Sequence, residues 1–479
     1  MKNIVSIIVT VLCSLATYTS SAYQVTFQSN HRSGVAYLAY YMGPNFNIED
    51  SAIVNKKGQA VFKNNRKLPG GIYAVVFADK RYSVEFLLDK EQIINIVADT
   101  SSLLKTAVTG SQENLLFQAY QRYTAEIGKS LSSERAAYLK ATNKADSTLH
   151  EANYIRLNTK LNDYRLRIVK NQPSSLMASL LNAMRESPYP AKSPVTRQDS
   201  LDNYTFYKSH YWDGITFMDD RIVRTPFFLP KLERYYREVI GQSEPDTIIK
   251  DIDYKLLLAR TAPEMYKFLL NWLTDEYINP KYMGQDAIFV HLFNNYHSKG
   301  LSPWLNAKQM ETISRRAYMQ MSNLVGEKAA NLQLIDTAGD HRDLYDVQAD
   351  YTIVLFWDPS CGHCKEELPK IDSIYRASWK SKNVKIYAVL TEKLQREWLK
   401  YISDHNLQDW INVYQTKEME EEERKSQKPG FRQLFDVIMT PTVFLLDKEK
   451  RIIGKKLSWQ QINDLLEVKR STSSKQKTN

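Results

Sequence analysis

The sequence predicts a multidomain protein with a small all-β sandwich, an all-α middle domain and a C-terminal α/β domain. Three observations carry this reading. At 479 residues the chain exceeds what one ordinary hydrophobic core encloses, because domains run to about 100–200 residues. Apolar residues alternate with polar ones from Tyr23 to about Thr109 and then recur at helical spacing to about Asn323. From Asn331 onward strand-like and helix-like runs alternate, the pattern of strands crossed over by helices. Hydrophobic residues at 43% and charged residues at 25% exclude a disordered, collagenous or multi-span membrane chain.

The first element is an address. Lys2 precedes an apolar run from Ile4 to Ala16, then a small polar stretch Thr17–Ala22, which is the order of a secretory signal. The run is short for a bilayer-spanning helix. Ser20-Ser21-Ala22 supplies the small residues that a signal peptidase reads, so residues 1–22 are expected to be removed, leaving 457 residues from Tyr23. Lipidation of Cys13 is disfavoured, because Leu12 stands where that route takes a smaller residue. No later segment reads as a membrane span. Of three cysteines, cleavage leaves Cys361 and Cys364, a CxxC pair in an exported chain and therefore a redox couple by expectation. Half of the net charge of +10 comes from Lys2, Lys469, Arg470, Lys475 and Lys477. The remainder is interspersed along the body, which excludes a phosphate-tracking stripe for nucleic acid.

The β-domain is expected over residues 23–110, with strands Val35–Tyr41, Gln59–Phe62, Ile72–Phe77, Tyr82–Leu88 and Ile93–Val97. Lys57-Gly58 and Pro69-Gly70-Gly71 mark turns between them. It holds no cysteine and one histidine, His31, so an antiparallel sandwich or barrel without a catalytic set is the reading. The helical domain is expected over 111–323, with helices such as Leu176–Met184, Lys231–Ile240 and Ala262–Tyr277. Its many aromatics, among them Tyr204, Phe206, Tyr207, Tyr211 and Trp212, read as core packing rather than as a ligand groove. His291 and His297, six apart, do not share the helical face that zinc ligands four apart would, and read as structural. Asp219-Asp220 with Arg221 and Arg224 reads as a helix cap or charge cluster rather than as a paired-carboxylate site.

The chemistry lies in residues 324–470, followed by a basic polar tail at 471–479. Tyr351–Trp357 is a continuous apolar run suited to a buried parallel strand. A helix opening at Cys361-Gly362-His363-Cys364 follows, with Cys364, Leu368, Ile371 and Tyr375 along one face. Strand Val384–Leu390, helix Glu392–His405, strands Ile411–Tyr414, Thr442–Leu446 and Arg451–Lys455, and helix Trp459–Val468 complete a βαβ unit with a hairpin and helix. At a helix N-terminus Cys361 meets unpaired backbone N–H groups and the positive dipole end, which favour thiolate. Cys361 is thus the expected nucleophile, and Cys364, one turn deeper, the expected resolving thiol. Gly362 leaves the approach open, and His363 offers a cation or donor beside the thiolate. Glu367, a further turn along, lies on the side of Cys364 and is a candidate to exchange its proton; the alternative is a solvent-facing helix residue.

The run from Phe356 to Pro369, the lead-in Asn331–Asp340 and the segment Met439–Asp447 together resemble the TlpA/ResA-like exported thioredoxins. The stretch around Lys57–Phe62 and Gly70–Tyr73 resembles a small β-domain of unknown function that precedes such domains, with a helical region between. The resemblance implies a thioredoxin-like fold for the last domain and Glu367 as the acid that tunes the thiols. It implies a cis Thr440–Pro441 bond facing the cysteines, Thr440 backbone free to pair with an extended partner segment, and Pro369 inside the active-site helix. Trp357, His363 and Thr440 are accordingly expected on the substrate side. Leu355 stands where ordinary thioredoxins keep a buried Asp, leaving Glu367 as the local candidate for that work. Ser360 replaces the usual Trp before the first cysteine and offers a helix N-cap. Glu418–Glu423 followed by Arg424–Lys428 reads as a solvated helix.

The function expected is that of a cell-envelope or periplasmic thiol-disulfide oxidoreductase acting on protein disulfides or dithiols, without cofactor or metal. A structural zinc site needs about four ligands and only one cysteine pair exists; a peroxidase arrangement fails because residue 358 is Asp. The Gly-His dipeptide is that of protein disulfide isomerase, near about −180 mV against about −270 mV for thioredoxin. The framework with Glu367 instead implies a reductase served by a membrane electron donor, which is the direction expected. Isomerase or oxidase activity, or an envelope binding protein with an accessory redox domain, are the alternatives.

Overall fold

A computed structural model describes residues 22–30, 32–190 and 193–476, with side chains followed to residue 469. The expected signal peptide therefore lies outside the described residues but for Ala22. The chain divides into two compact units, Met1–Gln242 with Lys255–Phe268, and Ser243–Tyr254 with Leu269–Asn479. The helical stretch is thus shared between the units, a division that its uniform helical texture does not announce. Among the described residues no helix is long and apolar enough to cross a membrane.

The first unit opens with β1 (Tyr23–Gln28), β2 (Val35–Met42), β3 (Asn45–Ile53), β4 (Gln59–Asn64), β5 (Gly71–Val76), β6 (Ser83–Leu88), β7 (Ile93–Val97) and β8 (Ala107–Thr109). They form two four-stranded sheets, ordered β4-β1-β7-β8 and β3-β2-β5-β6. The sandwich is as expected, but not wholly antiparallel, because β1 and β7 pair in parallel. Val25, Phe27, Leu38, Phe62, Tyr73, Phe77 and Ile94 meet in its interior. Gly110 ends β8 with φ +97°, and a Cβ there would lie 2.2 Å from the Ile93 carbonyl, so only glycine fits the turn. Ser111 then caps the helix Gln112–Lys140 by accepting from Asn114 N–H, and the buried Asn114 amide bonds both backbone groups of Leu87 on β6.

The aromatics of this unit pack on one another as core. Tyr211, Trp212, Phe217, Phe228 and Tyr235 make edge and tilted contacts, and the buried Lys255 ammonium sits 4.5 Å from the Tyr235 ring centre. Asp219 accepts from Arg221 N–H and pairs with its guanidinium, which also reaches Asp89, so this cluster caps and ties loops.

The second unit is built on one mixed sheet. Its strands are β9 (Gln333–Asp336), β10 (His341–Asp343), β11 (Tyr351–Trp357), β12 (Val384–Leu390), β13 (Ile411–Tyr414), β14 (Thr442–Asp447) and β15 (Ile452–Lys455), in the order β10-β9-β13-β12-β11-β14-β15. Central β11 runs parallel to β12 and antiparallel to β14. Its side chains alternate between two buried layers. Ile353, Leu355 and Trp357 face Cys364, Leu368, Trp379 and Trp398, while Val354 and Phe356 face Tyr387, Phe431 and Phe435. This is the thioredoxin-like arrangement of a βαβ unit joined to a hairpin. The closing helix runs from Trp459 to Gln476, longer than expected, since the Ser/Thr/Lys residues beyond Val468 contain no glycine or proline to stop it. The acidic stretch forms the solvated helix Lys417–Lys425.

Helices that precede the sheet in sequence are locked to it by buried charge. The Lys455 ammonium on β15 is buried, pairs with the Asp286 carboxylate, and donates to the Asn323 carbonyl and side-chain oxygen at 2.8 Å each. Asp286 begins the helix Asp286–Leu292, and Asn323 follows the helix Ala307–Met321. Arg316 of the latter helix pairs with buried Asp436, which also accepts from Lys456 at 2.8 Å. His291 bonds Asp253, and buried His297 lies between Thr274 and Ser302, so both histidines are structural. Removing one partner strands the other as a buried charge. Asp286→Ala is expected to destabilise this unit by about 3–5 kcal/mol, read as a lower urea midpoint.

Candidate active site

Strand β11 ends at Trp357, and the next four residues turn the chain into the helix Gly362–Ile374. Cys361 is the N-cap, with an extended backbone, and its sulfur accepts the Cys364 N–H at 3.3 Å. The N-cap role expected of Ser360 thus falls to the cysteine. Ser360 instead turns its backbone and hydroxyl to Asp358. Cys361 is partly exposed and Cys364 buried, both as free thiols. Around Gly362 a Cβ would meet nothing within 4 Å, so the approach to Cys361 is open there. Pro369 lies inside the helix, where it leaves the Lys365 carbonyl without its helical donor.

Across from the cysteines stands the loop before β14. The Thr440–Pro441 bond is cis. The Cys361 thiol donates to the Thr440 carbonyl at 3.2 Å, and the Thr440 hydroxyl donates to Asp358 Oδ2 at 3.1 Å. Pro441 and Glu367 line a groove with Ile371, Met439, Tyr282 and Met283.

Two expected site residues lie elsewhere. Trp357 is 0% exposed, in contact with the Tyr401 ring inside the core, because the alternation of β11 turns it away from solvent. It offers no surface to a substrate. His363 is 84% exposed and its Nδ1 lies 3.7 Å from Glu366, so the groups bonded to the Cys361 sulfur are Thr440 and Cys364 rather than an imidazole. Glu367 does sit one turn beyond Cys364, but its carboxylate accepts from Lys370 at 2.7 Å, at the edge of the groove.

The acid that sequence reasoning missed is Asp358. It is 5% exposed, and its Oδ1 accepts from the backbone N–H groups of Ser360 at 2.9 Å and Cys361 at 3.0 Å, besides the Ser360 hydroxyl. One carboxylate oxygen and both cysteine sulfurs lie within 4.8 Å of one another, a cluster that excludes Glu367. The signal was present. An Asp directly after a buried strand and three residues before a helix cap has the position of a side chain that bonds backbone N–H groups further on.

The two thiols differ electrostatically. Burial pushes Cys361 up, but hydrogen bonding by Thr440 and Cys364 outweighs it, while the Asp358 charge opposes them; the net displacement is below the ordinary thiol value. Burial pushes Cys364 up to about 12, only partly offset by the Asp358 backbone N–H.

Two parts of the chain match known families. Residues 325–455 match the AhpC/TSA family, and residues 23–117 match a domain of unknown function, DUF4369. The thiol-disulfide oxidoreductase ResA of Bacillus thuringiensis subsp. konkukian is 23% identical over 143 residues, covering 30% of this chain and 75% of that protein. Among solved structures, a domain of a possible thiol-disulfide isomerase from Cytophaga hutchinsonii is 37% identical, covering 32% of this chain and 97% of that one, with a TM-score of 0.28. A thioredoxin-like protein from Bacteroides caccae is 20% identical and covers 59% of this chain and 99% of that one, with a TM-score of 0.45.

A lowered acid is ionised at lower pH, so Cys361 should react with iodoacetamide below the pH at which a free thiol does. Mass spectrometry after brief treatment near neutral pH is expected to find the label on Cys361 and none on Cys364. The chain thus carries a thioredoxin-like domain that matches the AhpC/TSA family at residues 325–455, behind a DUF4369 match at residues 23–117, and that redox domain is similar to the ResA thiol-disulfide oxidoreductases.

Proposed function

We propose that this protein exchanges disulfides with other proteins of the cell envelope through Cys361 and Cys364, acting as a reductase. The observation that carries the reading is the asymmetry of the pair. One sulfur is reachable, caps a helix and is held by N–H and carbonyl groups; the other is buried directly behind it. The Cys361 thiolate attacks a substrate disulfide, forming a mixed disulfide and releasing one substrate thiolate. Cys364 then attacks the Cys361 sulfur, the bond to substrate breaks, and its electron pair leaves with the second substrate thiolate. The pair ends oxidised, and a membrane electron donor returns it to the dithiol.

The extended backbone of Cys361 itself and the facing Thr440 segment form the surface where a substrate strand docks. Export is supported by the signal-like segment at residues 1–22. The reducing direction is supported by the resemblance of the Phe356–Pro369 run, with Glu367, to the TlpA/ResA-like thioredoxins.

Cys364→Ala is expected to accumulate mixed disulfides through Cys361 that dissolve on adding a reductant, whereas Cys361→Ala traps none. Capture of no envelope protein by Cys364→Ala overturns the reading. A titration of the wild-type pair in glutathione buffers tests the direction. A potential near that of thioredoxin, about −270 mV, supports reduction, and one near about −120 mV assigns an oxidant.

A further inference from the structure

The buried Cys364 thiol must lose a proton before it can resolve the mixed disulfide, and the groups around it determine where that proton goes. Those that titrate are few. Cys361 lies on the same turn, the Asp358 carboxylate is on the loop after β11, and Tyr401, whose phenol feels the Cys364 charge, comes from the helix Gln395–Asp404. Thr440, from the facing loop, contributes only a hydroxyl and a carbonyl. Among the described residues no cation pairs with Asp358.

The lone pairs of Asp358 are unequally used. Oδ1 accepts three hydrogen bonds, from Ser360 N, Ser360 Oγ and Cys361 N, whereas Oδ2 accepts one, from Thr440 Oγ1. An ionised carboxylate oxygen accepts about two, so Oδ2 keeps a free acceptor direction. A carboxylate oxygen within 4.8 Å of Cys364 Sγ is at a separation that a single water spans. Glu367 is held by Lys370 at 2.7 Å and stands outside this cluster.

Resting on the exchange chemistry above, we propose that Asp358, and not Glu367, accepts the Cys364 proton when the substrate is released from Cys361. The proton passes from Cys364 Sγ to the Asp358 carboxylate as the Cys364 electron pair forms the bond to Cys361. The Cys361–substrate bond breaks, the departing substrate sulfur takes the electron pair, and the proton returns to it or to solvent, leaving Asp358 ionised. The same charge that accepts this proton opposes the Cys361 thiolate, so Asp358 acts on the two steps in opposite senses.

The full-length protein, reduced and mixed with the aromatic disulfide dithionitrobenzoate, reads both steps, because attack by Cys361 and resolution by Cys364 each release a coloured thiolate. Asp358→Asn keeps a hydrogen-bond acceptor for the Ser360 and Cys361 N–H groups but cannot take a proton. It is expected to slow the second release on the order of 100-fold near neutral pH. Rising pH should restore the rate as hydroxide takes over, while the first release stays unchanged or quickens. Glu367→Gln is expected not to reproduce this selective, pH-dependent slowing of the second release. The proposal is overturned if Asp358→Asn resolves at the wild-type rate, if both of its steps slow together, or if Glu367→Gln carries the pH-dependent loss.

Should Asp358→Asn not fold, wild-type protein with carbon-13 carboxyl-labelled aspartate decides the matter. An aspartate carboxylate infrared band that titrates with the Cys364 thiol supports the transfer, and its absence overturns it. A wild-type protein that releases no thiolate in either step sinks the exchange reading itself, which Asp358 variants cannot do.

Discussion

A carboxylate taken out of water must have its lone pairs met by donors, and Asp358 meets that demand with groups from two separate segments of chain. Ser360 and Cys361 come from the turn into the active-site helix; Thr440 comes from the loop before β14, about eighty residues later. Because leaving such a group unpaired costs more than a typical hydrogen bond contributes, the two segments are held at one separation. That separation sets the 3.2 Å contact between the Cys361 thiol and the Thr440 carbonyl, and so the geometry in which a partner meets the sulfur.

What brings Asp358 there is the alternation of β11. Ile353, Leu355 and Trp357 commit one face of the strand to the layer of the active-site helix, and Val354 and Phe356 commit the other. With both faces apolar the strand has no register that exposes a side, so its end, and the turn after it, are fixed by packing before any site chemistry enters. Cys364, Leu368 and Ile371 seat the helix on the same layer. The dithiol is thus an extension of the core, with one sulfur inside it and one at its rim.

The sequence was most legible where packing and chemistry coincide. Tyr351–Trp357, Val384–Leu390 and Ile411–Tyr414 match their strands end to end, since continuous apolar runs of that length have few other fates. The helix opening at the cysteines was equally plain. By contrast β3 passed unread, because Asn45–Ile53 lies almost wholly toward solvent and lacks an apolar face. The parallel pairing of β1 with β7 leaves no local mark, as it joins segments far apart in the chain. Glu367 drew attention through helical spacing, which fixes a side of the helix but not the rotamer that turns its carboxylate to Lys370. Asp358 went unrecognised because its importance rests on Thr440, a partner that spacing cannot supply.

The ion pair between Lys455 and Asp286 carries a consequence for how this protein can be divided. Lys455 belongs to the last strand of the sheet, yet its counter-ion and two further acceptors come from residues 286 and 323, upstream of the redox motifs. A boundary drawn at the change of texture near residue 324 would leave an ammonium group in the interior with none of its acceptors. The redox domain is therefore not a cassette that can be transplanted by its fold outline: a graft must carry the helices from Asp286 to Asn323 with it, or replace Lys455 by an apolar residue of similar length.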